Sequence, residues 1–225
     1  MSTAPPTRSP GRTQTSSTSG VHSGRLAVYL QPPELSVAEF AAARLDGEVF
    51  AFEDGYCSVD EPDTVRLRAT VLTRLSGLDG ATIAETSAAW LHGAALVAPR
   101  IHTGFVTPDR RSRRVARVQL RQVSLRPGDS EPCGPLRVTT PTRTVADLAR
   151  RTGADAEPAL ATIRNYFLLG LTSPEEVVAW VRSVPRVLGG SRILRVVSGA
   201  TEVMLPGLEP TAGELASWSL PLSRR

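Results

Sequence analysis

The segment Val138-Thr139-Thr140-Pro141-Thr142-Arg143-Thr144-Val145-Ala146-Asp147-Leu148-Ala149-Arg150 constrains this chain more than any other. A short β-prone run ends at Thr140, whose hydroxyl suits an N-cap, and Pro141 follows at the first helical position, where its missing N–H costs nothing. Val145, Leu148 and Ala149 then recur at helical spacing, so a strand passes directly into an amphipathic helix. Arg143 and Asp147 are four residues apart and share a face. Two roles stay open for the pair: fixing the strand–helix junction, or presenting Arg143 to an anion.

Similar boundary chemistry recurs along the chain. Ser36-Val37-Ala38-Glu39 and Ser173-Pro174-Glu175-Glu176 both have capping-box spacing. The first predicts a short helix ending near Asp46-Gly47; the second predicts a helix buried through Val177, Val178 and Val181. Asp54-Gly55 lies between Val49–Phe52 and Tyr56–Val59, which predicts a β-hairpin with Asp-Gly in the turn. Asp63 or Thr64 caps a helix carrying Val65, Ala69, Leu72 and Leu75. Thr86–Gly93 reads as a short helix that Gly93 can end in a left-handed cap. Ile101–Thr107, Ala116–Ser124 and Leu136–Thr139 predict a sheet of about three strands. After the Thr140 helix, Gly153 serves as a stop and Asp155 caps a helix with Leu160, Ile163 and Phe167 inward. A final helix is expected over Ser191–Ser198.

These elements predict an α+β chain of four regions. Residues 1–24, rich in Ser, Thr, Pro and Gly, read as a disordered tail. Residues 25–78 form a short helix-plus-hairpin unit, 79–199 a small sheet packed with helices and ending in a helical block, and 200–225 a loose tail. Hydrophobic residues make up 41% of the chain but aromatics only 5%, so its core must be built mainly from Leu, Val, Ile and Ala.

Every basic residue among the 26 is arginine. Without lysine the chain cannot supply a Walker phosphate loop, a Schiff base or a Lys-dependent nuclease centre. Arg100–Arg126 holds eight arginines against Asp109, a local charge of +7; the whole chain is only +4, so the remainder is −3. The run Arg110, Arg111, Arg113 and Arg114, with Arg117 and Arg121 following, is the candidate nucleic-acid surface, because guanidinium forks bind phosphates in a salt-sensitive way. A solvated hairpin turn with charged strand edges is the alternative. Cys57 and Cys133 lack metal-site spacing, and His22, His92 and His102 are scattered, so no metal or cofactor is expected. No nucleophile–base constellation surrounds either His92 or His102. No apolar run approaches the roughly 20 residues that span a bilayer, so a cytoplasmic location is expected.

Two motifs in order, Ser87-Ala88-Ala89-Trp90-Leu91-His92-Gly93 and the segment around Thr140, Pro141, Arg143 and Asp147, are similar to the AbiEi-family antitoxins of type IV toxin–antitoxin systems. The Asp46-Gly47-Glu48 turn, the hairpin and Asp60-Glu61-Pro62 also resemble that group, and the likeness covers roughly Glu34 to Val197. The resemblance implies a winged-helix DNA-binding unit ahead of a mixed domain. It implies autorepression of an operon promoter and counteraction of a nucleotidyltransferase-like toxin without stable contact or catalysis. Some relatives continue into a nuclease-like domain, which is not expected here. Only one helix precedes the hairpin, where a winged helix needs about three with one entering the major groove. The alternative is therefore a protein-interaction module of the same descent that does not bind DNA.

Overall fold

Ser36 opens the first helix, α1 (Val37–Leu45), through a complete capping box: its Oγ accepts from the Glu39 amide, and Glu39 Oε2 accepts from the Ser36 amide at 2.7 Å. This is a computed structural model, and it describes residues 29–32, 34–109, 114–152, 157–185 and 187–204. Phe40 is the residue α1 buries, stacked on Tyr56 with ring centroids 4.4 Å apart. Tyr56 belongs to a hairpin of β1 (Val49–Phe52) and β2 (Gly55–Ser58).

Pairing of Phe52 with Gly55 makes Glu53-Asp54 the two-residue loop, one position earlier than Asp54-Gly55. Glu53 takes the left-handed conformation, with φ 53°. Gly55 is needed for a different reason. A Cβ there would lie 2.5 Å from the Leu30 carbonyl oxygen and 2.6 Å from Tyr29 Cζ, because residues 29–30 cross directly over the strand. Leu30 and Tyr56 exchange both backbone bonds at 2.9 Å.

Thr64 caps α2 (Val65–Arg74), which turns Leu67, Ala69, Val71 and Leu72 inward. A second sheet follows, built from β3 (Thr82–Ile83), β4 (His102–Val106), β5 (Arg114–Val115), β6 (Val118–Gln122), β7 (Ser130–Cys133) and β8 (Leu136–Thr139). Its strand order is β5-β6-β4-β3-β8-β7; β4–β6 and β3–β8 are parallel pairs and the others antiparallel. The expected three strands are β4, β6 and β8. The sheet has six because β3 and β5 are two residues long, too short to show periodicity, and β7 carries Pro132, which only an edge position tolerates. Helix α3 (Glu85–Leu91) bridges β3 and β4 and ends where Gly93 adopts φ +85°.

The helical block begins with α4 (Pro141–Arg151), capped by Thr140, and α4 packs against α3 and against α5 (Glu157–Leu168), α6 (Pro174–Ser183) and α7 (Gly190–Met204). Val145, Ala149, Ile163, Tyr166, Val177, Val181, Ile193 and Val197 form its core. The stop at Gly153 and the cap at Asp155 lie outside the described residues. Helix α7 continues six residues past Ser198, since buried Ala200 extends the stripe of Ile193 and Val197. Among the described residues the chain is thus a mixed α+β structure of seven helices and two sheets.

Candidate functional site

Arg110, Arg111 and Arg113 lie outside the described residues, and Arg114 belongs to β5 at one edge of the large sheet. Arg117 occupies the turn between β5 and β6. Its guanidinium is held by the two residues of the first hairpin's loop, Nη2 by Glu53 and Nη1 by Asp54. Arg121, one strand face further on, pairs with Glu85 at the start of α3, and Arg151 at the end of α4 reaches the same carboxylate at 2.9 and 3.0 Å. Both cations therefore face carboxylates of this chain. Glu85 is buried with φ 56°; burial raises its pKa, partly offset by Arg121. Sequence periodicity could not find Glu53, Asp54 or Glu85 as partners, since each lies more than thirty residues from its arginine.

Arg143 is the hub of a buried cluster. Its Nε donates to Asp147 Oδ2 at 2.8 Å, Nη2 to Asp147 Oδ1 at 3.3 Å, and Nη1 to Asp129 Oδ2 at 2.7 Å. Asp129 stands in the loop between β6 and β7; its Oδ1 accepts from Trp180 Nε1 at 2.8 Å, and its carbonyl accepts the Thr140 amide at 3.1 Å. The Arg143 guanidinium lies 5.2 Å from the Trp180 ring centroid, and Arg126 lies 5.3 Å from the same ring. Burial alone would push the Asp129 carboxyl up, but bonds from Trp180 and the Arg126 amide, with the charge of Arg143, hold it below its ordinary value. All three guanidinium nitrogens of Arg143 bond to carboxylates of the chain. Of its two possible roles, the structure assigns it the junction: it ties the β8–α4 turn to the β6–β7 loop.

Trp90, His92 and Gly93 close α3. Trp90 is buried, with the Arg68 guanidinium 5.4 Å from its ring centroid and bonded to its carbonyl. His92 is the C-cap; its Nδ1 meets Tyr166 Oη at 2.8 Å, and its Nε2 lies 3.9 Å from Glu131. Burial lowers the His92 pKa to about 4, so the ring is neutral near pH 7, and burial raises that of Tyr166. His102 is wholly buried beside Trp90, its Nε2 3.8 Å from Glu53 Oε2. Burial lowers its pKa too, against the pull of Glu53.

Among the described residues no group of three or more His, Cys, Asp or Glu side chains is arranged to hold a metal ion. None of the described helices is long and apolar enough to cross a membrane. No protein-family model matches the chain, and no curated protein matches it either. The clasp at Arg117 draws the hairpin of the first unit against the β5–β6 turn.

Proposed function

We propose that this chain is a non-catalytic, cytoplasmic DNA-binding regulator of the AbiEi antitoxin kind. It binds the promoter of its own operon and counteracts a nucleotidyltransferase-like toxin without contacting it. One observation carries this reading: the Arg117 clasp to Glu53 and Asp54. It draws the β1–β2 hairpin, read with α1 as a shortened winged helix, against the β5–β6 turn, which Arg110, Arg111, Arg113 and Arg114 precede in the sequence. In this reading a duplex contacts the hairpin unit and those four arginines.

Titration of the upstream operon duplex by fluorescence anisotropy, over a salt series, tests this. Each phosphate neutralised adds about 0.9 to the slope of log affinity against log salt, so replacing the four arginines by alanine flattens that slope by up to about 3.6. An unchanged slope and affinity would remove the arginine segment from the interface.

A second reading has its own support. Among the described residues a single helix, α1, stands between the Leu30 bridge and the hairpin, leaving no separate helix for the major groove. Leu168 and Leu169 are also 69% and 58% exposed. A protein-interaction module would bind no duplex at low salt and would instead be recovered in a stable protein complex.

A further inference from the structure

Two cavities of about 330 Å³ each adjoin at the N-terminal end of β3, sharing Gly80, Thr82 and Arg137 in their walls. They exist because β3 is only Thr82–Ile83, while its neighbours β4 and β8 run on past it. The sheet is therefore notched between Val106 and Leu136. One arm runs toward the β6–β7 loop, over a floor that includes Phe105, Val106 and Leu125, with Arg126 and Arg137 in its wall.

Both arginines are anchored at that loop. Arg137 Nη2 donates to the Ser130 carbonyl and to Ser130 Oγ, each at 2.9 Å, and Nε reaches the same hydroxyl at 3.3 Å. These bonds go to neutral oxygens of one serine. Arg126 stacks on Trp180, and its Nη1 reaches only the Ser183 carbonyl, at 3.3 Å, and hydroxyl, at 3.5 Å. Its Nε is buried without a hydrogen-bond partner. Nη2 comes no nearer than 3.6 Å to Asp129, whose two oxygens already serve Trp180 Nε1, Arg143 Nη1 and the Arg126 amide. Arg126, Arg143 and Arg150 thus share the two carboxylates of Asp129 and Asp147. Of these cations only Arg126 lines the cavity, so with Arg137 its arm carries two guanidiniums, the first of them 3.6 Å from Asp129.

A half-buried guanidinium, Arg126, and an exposed one, Arg137, line one cavity that can take an anion, and guanidinium forks favour phosphate. The volume falls at the small end of the range for pockets that enclose small molecules, about 300–1,000 Å³, and its apolar floor suits a body attached to the charged head. Asp79 lines the other arm, which Arg137 also borders, so the charged head belongs in the arm that Arg126 shares with Arg137.

We propose that this notch is a binding site for a phosphate monoester of mononucleotide size, with the phosphate between Arg126 and Arg137 and the remainder over Phe105 and Leu125. The site shares no residue with the arginine segment assigned to DNA and would make the protein responsive to a small molecule.

Calorimetric titration of the full-length protein with AMP and UMP, and with adenosine as the uncharged control, tests it. At least one nucleotide should bind saturably, adenosine should not, and Arg137→Ala should weaken binding at least tenfold. Arg137 is exposed, so this variant keeps the fold, as its melting temperature will show. Arg126→Gln should weaken binding similarly, whereas Arg74→Ala, at a distant exposed ion pair with Glu34, should leave it unchanged. Absence of saturable heat for either nucleotide at millimolar concentration would overturn the proposal. So would equal binding of adenosine, or wild-type affinity in Arg137→Ala. Promoter affinity of Arg137→Ala, measured alongside, should match the wild type, which keeps this result independent of the DNA-binding proposal.

Discussion

Arg143 and Asp129 meet at 2.7 Å although fourteen residues and two strands separate them, and both are almost wholly buried. Their contact closes the β6–β7 loop onto the first turn of α4. Removing one partner of such a cluster leaves an uncompensated charge in the interior, which costs about 3–5 kcal/mol. Arg143→Ala should therefore lose about that much in urea denaturation, and Asp129→Asn should also be destabilised. A loss below about 1 kcal/mol would mean water readily replaces the missing partner.

Asp129 also governs behaviour in acid. Its folded-state pKa lies below the ordinary 3.8, so its contribution is present above that value and lost as pH falls through the lower folded value. Wild type should accordingly lose stability below about pH 4 more steeply than Asp129→Asn, followed by circular dichroism.

His92 acts in a different window. Burial lowers its pKa from 6.5 to about 4, so between those values the unfolded chain binds a proton that the folded chain refuses. Stability conferred by the neutral ring is complete above about pH 6.5 and falls toward pH 4, by on the order of 3 kcal/mol. His102, buried as well, contributes in the same direction, so the comparison must be with His92→Asn. That variant should show a shallower decline; identical profiles would mean that His92 is hydrated in solution.

Gly55→Ala should be costly for reasons of space. The new methyl group would sit 2.5 Å from the Leu30 carbonyl oxygen, and residues 29–30 would have to lift off β2. Overpacking of this kind costs about 1–3 kcal/mol. Hydrogen exchange should show the loss first at the Leu30 and Tyr56 amides.

The clasp at Arg117 is partly exposed, so each ion pair contributes only about 0.2–1 kcal/mol. Arg117→Ala should leave global stability nearly unchanged while raising amide exchange in residues 49–58. If the hairpin protects itself equally well in the variant, the clasp does not position it.

Capping boxes at Ser36 and Ser173, the Thr140-Pro141 helix start and the Gly93 cap were legible because each is decided by residues within four positions of one another. The same local chemistry made Arg143 and Asp147 an evident pair. Asp129 was not legible as their third member, nor Glu85 as the partner of Arg121, because no periodicity links a loop or helix start to a distant strand. The Asp54-Gly55 pattern misplaces the turn by one residue for a related reason. Glycine there answers the approach of Tyr29 and Leu30, a tertiary contact, and the turn falls on Glu53-Asp54.

By itself the sequence determined an α+β chain in which α1, α2, α4 and α6 begin at their capping residues, with a basic segment between the second unit's first strands. Only the tertiary structure decided what those charges do. Arg117 and Arg121 are drawn into ion pairs, Arg143 is consumed at a junction, and Arg126 and Arg137 are left flanking a notch. Caps satisfy backbone groups a few residues away, whereas a guanidinium's role depends on which carboxylates the folded chain brings within reach.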